Sequence, residues 1–147
     1  MAATALIVAP AASVAEPEPD YVDCSFKVKK KVRVSAVTKR GLPVKITCER
    51  PTEVIAALDL KFGSKQEYKW MLLHGDGIPG ISNGSPVKLQ RTAVARARLT
   101  PEAGRFLQRY RRSGVYVHVA AQHPEHPERY RDAADRRLVT FLGKGKG

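Results

Sequence analysis

The stretch PTEVIAALDL, Pro51–Leu60, decides the fold class. Proline suits the first turn of a helix, where its missing N–H has no partner to lose. Val54, Ile55 and Leu58 follow as an apolar stripe at helical spacing, so a helix is predicted to open at Pro51. A second helix is predicted just beyond it. Ser64-Lys65-Gln66-Glu67 is a Ser-x-x-Glu capping box, in which the hydroxyl serves a backbone N–H of the first turn. Tyr68, Met71 and Leu72 then recur at i, i+3 and i+4 as a core stripe, with Trp70 as packing or partial cover and Gly75 as the stop.

Downstream, Gly75–Pro86 is a glycine-rich connector; no Gly-Lys-Ser/Thr follows, so it is not a phosphate loop. Val87–Arg91 and Ala93–Leu99 each alternate, and the short gap between them predicts a tight hairpin. Ala95, Ala97 and Leu99 share one parity, leaving Arg96 and Arg98 together on the opposite face. A third helix is predicted from its N-cap Thr100 and Pro101 to Gly114, with Glu102 near the positive dipole end. Ala103, Phe106, Leu107 and Tyr110 form its apolar face, and Arg105, Arg109 and Arg112 recur at i, i+4 and i+7 beside Arg111. Val115–Ala121 and Arg136–Leu142 read as two closing strands joined by the loop Gln122–Asp135.

Upstream, Val44–Cys48 is a short strand, and Phe26–Arg40 (FKVKKKVRVSAVTKR) alternates apolar and basic residues. That pattern fits a solvated edge strand or an extended basic arm laid along RNA backbone; the lack of acidic neighbours favours the arm. The expected order is therefore β-α-α-β-β-α-β-β, an α+β fold with a small, mostly antiparallel sheet and helices packed on one face. Residues 1–25 are expected to form a disordered, acidic Ala/Pro-rich tail, 26–42 the basic arm or edge strand, 43–142 an RNA-binding α/β domain, and 143–147 a flexible basic tip.

Charge narrows the partner. The chain carries +12, and all 26 Lys and Arg lie beyond residue 24, against 10 of the 14 acidic residues. A foldable sequence this basic points to a polyanion, because neutralising phosphates releases counterions. No apolar run reaches the ~20 residues of a membrane-spanning helix. Cys24 and Cys48 are too few for a disulfide framework and are expected as two reduced thiols in a cytosolic protein. His118, His123 and His126 are the residues an active or metal site would draw on, yet no zinc spacing, nucleophile constellation or carboxylate pair accompanies them. The expectation is a protein that is not an enzyme, with no cofactor, no metal, no small-molecule substrate and no membrane partner; a basic nuclease is the least favoured alternative.

Several strings resemble one known family. These are Cys48-Glu49-Arg50-Pro51, the cationic stretch Pro101–Arg112 with Phe106 and Tyr110, and the closing pair VYVHVAA and RRLVTFL. Over roughly Val44–Leu142 the chain resembles the eukaryote-specific large-subunit ribosomal proteins numbered twenty-two in the eukaryotic series, unrelated to the bacterial protein of that number. The resemblance implies a structural constituent of the cytosolic large ribosomal subunit that binds large-subunit ribosomal RNA and neighbouring ribosomal proteins, with nucleolar transit during assembly. It also implies binding of hairpin RNA away from the ribosome; the alternative is a free RNA-binding regulator. The expected RNA contacts are Lys27, Lys29, Lys30, Lys31, Arg33, Lys39 and Arg40 in the basic segment, Lys88, Arg91, Arg96 and Arg98 in the hairpin, and Arg105, Arg109, Arg111 and Arg112 in the third helix. This chain departs from many relatives in ending on Gly-Lys repeats instead of an acidic tail, and in the length of its Gln122–Asp135 loop.

Overall fold

Alternating burial builds two layers. The computed structural model describes residues 21–75 and 81–146; the expected tail up to Asp20 and part of the glycine-rich connector lie outside them. In β3 (Leu42–Cys48), Leu42, Val44, Ile46 and Cys48 are buried while Pro43, Lys45 and Thr47 face water. β7 (Thr92–Leu99) alternates likewise, with Ala95, Ala97 and Leu99 inside. Together with β1 (Cys24–Lys27) and β5 (Ser82–Asn83) they make an antiparallel sheet A in the order β1-β3-β7-β5. Sheet B runs β2 (Lys31–Arg33), β10 (Arg137–Leu142), β8 (Arg112–Gln122), β4 (Thr52–Leu60) and β6 (Val87–Leu89), with β9 (Tyr130–Asp132) paired to β8 beyond the end of β10. Among the described strands only β2 and β10 pair in parallel. The inner faces share one core, in which Val54, Leu58, Val117 and Phe141 of sheet B join Val44, Ile46 and Ala97 of sheet A. Stacked sheets lie about 10 Å apart, the thickness of such a core. The chain is thus mixed α/β but mostly strand, a two-sheet sandwich with three short helices among the described residues.

This arrangement corrects several expectations. Pro51–Leu60 holds a strand, β4, and no helix. Val54 and Leu58 are four apart, a spacing that shares a face in a strand as well as in a helix. What decides is that Ala56 and Leu60 are buried with them while Ile55, Ala57 and Asp59 are half-buried on the outer face. Pairing with β8 along Val54–Leu60 and with β6 along Thr52–Val54 satisfies the strand's backbone, which outweighs the weak helix preference of its alanines. Val87–Leu99 is not a hairpin: β6 pairs with β4 in sheet B, whereas β7 pairs with β3 and β5 in sheet A. Gln90 and Arg91 carry the chain between the layers.

Phe26–Arg40 is neither one edge strand nor a free arm. It forms β1, a corner at Val28–Lys30, β2 and then helix α1 (Val34–Arg40), anchored by buried Phe26, Val34 and Val37. The third helix, here α3 (Pro101–Leu107), does open on Thr100, whose Oγ1 accepts the Ala103 N–H at 3.1 Å. It stops at Leu107 because Arg112 already begins β8, in register with Leu142, and a longer helix would strip those ladder pairs. The observed order, β-β-α-β-β-α-β-β-β-α-β-β-β, replaces the expected one. The capping box holds: Ser64 Oγ accepts the Glu67 N–H at 3.1 Å, opening α2 (Lys65–His74), and Gly75 closes it.

Register places all three helices at one end of the sandwich. Arg33, Leu142 and Arg112 stand side by side there, Leu60 stands opposite Val115, and Leu42 opposite Ala97. At the other end Cys24 and Cys48, opposite each other on β1 and β3, are joined by a disulfide. The expected pair of reduced thiols is corrected accordingly. The two residues are 24 apart in sequence, and only the β1–β3 register brings their Cα atoms within 4.0 Å.

Candidate nucleic-acid interface

The outer face of sheet A follows from the strand parity. Lys27 on β1 lies opposite Lys45 on β3, which lies opposite Val94 on β7; one step along, Arg96 lies opposite Pro43, and Arg98 opposite Asn83. Neighbouring strands are about 4.8 Å apart, so these four cations form one compact field. Asp and Glu are absent from this face of the described strands. Gly41 extends the field toward the helices. Its φ of 80° is easy only for glycine, and a Cβ there would come within 3.0 Å of the Arg96 Cβ and 3.2 Å of the Arg98 Cγ. The last turn of α1 therefore lies against β7, where Arg96 Nη1 donates to the Arg40 carbonyl at 3.3 Å. A cation at those terminal carbonyls also complements the helix dipole.

From Lys39 and Arg40 the basic surface continues across the helix end. α1 and α3 touch through Gly104, where a Cβ would meet Thr38 Oγ1 at 2.8 Å. Beside that contact Ser35, Thr38, Lys39, Gly104, Arg105 and Gln108 line a shallow groove of about 360 Å³. Lys29, Lys30, Lys31 and Arg33 run along the edge joining the two sheets, all exposed. Arg109 and Arg111 sit on the turn after α3, and Arg112 opens β8.

Of the residues singled out by sequence, Lys27, Arg96, Arg98, Lys39, Arg40 and Arg105 are brought together, with the others of the basic segment along the adjoining edge. Arg105, Arg109 and Arg112 share an end of the molecule, not a helical face, since α3 stops short of the latter two. Lys88 and Arg91 stand apart: Lys88 faces Glu53 across β4–β6, and Arg91 lies at the disulfide end, where its carbonyl accepts the Cys48 N–H at 2.9 Å. Sequence reasoning missed Lys45, whose exposed parity within VKITC was the available signal. It also missed Lys61, Lys65 and Lys69, which surround α2 at the same end. The Gly-Lys tip joins them, because Gly143 N–H donates to the Arg111 carbonyl (3.1 Å) and Lys144 N–H to Gln108 Oε1 (3.0 Å).

One cluster on the opposite layer pairs its charges in place. On the outer face of sheet B, His118 Nε2 lies 2.7 Å from Asp59 Oδ2 and its Nδ1 lies 3.3 Å from Asp132 Oδ1. Arg136 spans the same two carboxylates, at 3.9 Å from Asp59 and 3.5 Å from Asp132. The hydrogen bond to Asp59 holds the His118 pKa above its ordinary 6.5 despite partial burial, and the nearby charges of Asp59 and Asp132 add to it while Arg136 opposes. The same bond holds Asp59 below 3.8. With both ring nitrogens engaged, His118 has none left to take a substrate proton, so the cluster acts as a clasp between β4, β8 and β9. His123 Nδ1 accepts the N–H groups of Glu125 and His126 at 3.0 and 3.1 Å and so shapes its loop. By contrast, among the described residues Lys27, Lys39, Arg40, Lys45, Arg96, Arg98 and Arg105 form no ion pair with any carboxylate.

Among the described residues no helix is long and apolar enough to cross a membrane. No protein-family model matches the chain, and no curated protein matches it in sequence.

Proposed function

We propose that this chain is a non-catalytic RNA-binding protein that grips phosphate backbone with the outer face of sheet A and the adjoining helix end. One observation carries this: among the described residues the cations of that surface form no ion pair with a carboxylate, whereas His118 and Arg136 on sheet B share Asp59 and Asp132. Unpaired, mutually repelling cations are relieved by a polyanion and by little else. Sheet A's outer face offers no aromatic ring for base stacking, so binding there is tolerant of sequence. Incorporation into the cytosolic large ribosomal subunit, through its ribosomal RNA and neighbouring proteins, is the assembly that the ribosomal resemblance suggests. The observed element order departs from the expected one, so the phosphate-binding reading rests on the basic surface alone.

Titration of a labelled RNA duplex at 50 to 200 mM salt is the test. Engagement of about six phosphates weakens affinity roughly a thousandfold across that range. Replacing Lys27, Lys45, Arg96 and Arg98 with alanine reduces the salt slope by about 3–4, whereas replacing Lys88 and Arg91 leaves it nearly unchanged. A flat salt response sinks the reading. Sedimentation of cell extract separates a ribosomal constituent, which co-migrates with large subunits in stoichiometric amount, from a free RNA-binding regulator, which stays at the top of the gradient.

A further inference from the structure

Helix α2 faces the wrong way for a core helix. Of its ten residues only Trp70 is buried, stacked near His74 and edge-on to Phe106 with a ring separation of 5.2 Å. Leu72 and Leu73 are 68% and 61% exposed, Tyr68 64% and Met71 41%, and Phe62 just before the helix is 86% exposed. Burying Trp70 requires none of these. Five large apolar side chains crowded into twelve residues, in a chain where 27% of residues are charged, mark a contact surface. Beside them a groove of about 510 Å³ lies between α2 and the turn after α3, lined by Lys69, Leu72, Leu73, Phe106, Arg109 and Tyr110.

The groove's chemistry selects its occupant. Its walls are aliphatic and aromatic, and both its charged lining residues are cations. Among the described residues neither Lys69 nor Arg109 has a carboxylate partner; Lys69 Nζ instead lies 5.6 Å from the centre of the Tyr110 ring. The one acid of α2, Glu67, is committed to the helix start, where its Oε1 accepts the Gly63 N–H at 2.9 Å. A second copy of this chain fits poorly, because two such grooves face to face set Lys69 and Arg109 against their own kind. Nucleic acid fits poorly too: leucine and methionine neither stack on bases nor hydrogen-bond to them. The Tyr110 ring is already flanked by Lys69 and by Phe106, 5.3 Å away.

We propose that the α2–α3 groove docks an amphipathic acidic peptide segment of a partner protein, apolar side chains at i, i+3, i+4 and i+7 entering against Leu72, Leu73 and Phe106 while flanking carboxylates meet Lys69 and Arg109. This is helix-in-groove recognition, in which anchor side chains supply affinity and the charged rims set orientation. The groove borders the helix end of the basic surface and leaves the outer face of sheet A open, so RNA held on that face and this partner can be bound at once.

The test uses the full chain and two labelled peptides of sixteen Leu and Glu residues, one with leucines at i, i+3, i+4 and i+7 and one of the same composition scrambled. Binding is read by fluorescence polarisation and by emission of Trp70, the only tryptophan. The patterned peptide is expected to bind and to shift Trp70 emission, and the scrambled one to bind about tenfold or more weakly. Leu72→Ser with Leu73→Ser, at exposed positions, lowers patterned-peptide affinity by about tenfold or more and leaves RNA affinity unchanged. Lys69→Glu with Arg109→Glu weakens the patterned peptide, while alanines at Lys27, Lys45, Arg96 and Arg98 weaken RNA alone. Equal binding of the two peptides, or indifference to the leucine changes, overturns the proposal. So does an RNA affinity that falls with the leucine changes, or a concentration-dependent dimer that they abolish.

Discussion

His118 shows how one side chain ties three strands and makes their union depend on pH. Its pKa is raised above 6.5 by Asp59, so its contribution to stability is complete below 6.5 and fades as pH rises through the raised value. Asp59, lowered from 3.8, contributes above 3.8, and that part is lost as pH falls through its lowered value. The clasp is therefore strongest between the two limits. Replacing His118 with alanine is expected to lower the thermal midpoint more at pH 5.5 than at pH 9.5, and scanning calorimetry at both pH values checks it. An equal loss at both would mean that His118 acts by packing alone. Gly145 poses a second question at this scale. A Cβ there would overlap the Arg109 carbonyl, and one at Gly143 would overlap those of Leu107 and Tyr110. Gly143 and Gly145 thus lie inward where no side chain fits, and Lys144 and Lys146 are exposed. Gly145→Ala is expected to cost about 1–3 kcal/mol in urea unfolding, or to release the tip, which limited proteolysis would report.

At the scale of elements, burial separates helices and strands that sequence ranked alike. The stripe Tyr68, Met71 and Leu72 has helical spacing and does lie on a helix, yet it faces outward, because spacing fixes which residues share a face and not what that face meets. The alternation in Val115–Ala121 and Arg136–Leu142 was legible, and those strands pair as expected, since the period of two has no helical counterpart. Pro51–Leu60 was misread because Val54 and Leu58 satisfy both periods. A direct comparison follows. Leu58→Ala, at a fully buried position, is expected to cost about 2–5 kcal/mol, and Leu72→Ala to stay within about 0.5 kcal/mol of wild type, measured by urea unfolding. If Leu58 were on a surface helix, the two costs would be similar.

Over the whole molecule, the disulfide pins the edge strand β1, with its Lys27, to the rest of sheet A. Closing a loop of this length restricts the unfolded chain by about 3 kcal/mol in the entropic account. Reduction with a thiol, or Cys24→Ser with Cys48→Ser, is expected to lower stability by roughly that amount while Phe26 keeps β1 docked; urea unfolding with and without reductant measures it. Disulfides persist in oxidising surroundings, so thiol titration of the protein taken from cells also bears on the proposed cytosolic site. The sequence by itself determined the excess of positive charge, the parity that turns Arg96 and Arg98 outward, the capped starts of α2 and α3, and the strands β3, β8 and β10. Each of these depends on neighbours a few residues away. Only the tertiary structure decided that β6 and β7 part into different sheets, that Cys24 meets Cys48, and that Lys27, Lys45, Arg96, Arg98 and Arg40 form one surface. Those outcomes rest on pairings between distant strands, whose free energy comes from a shared core that no local window of sequence contains.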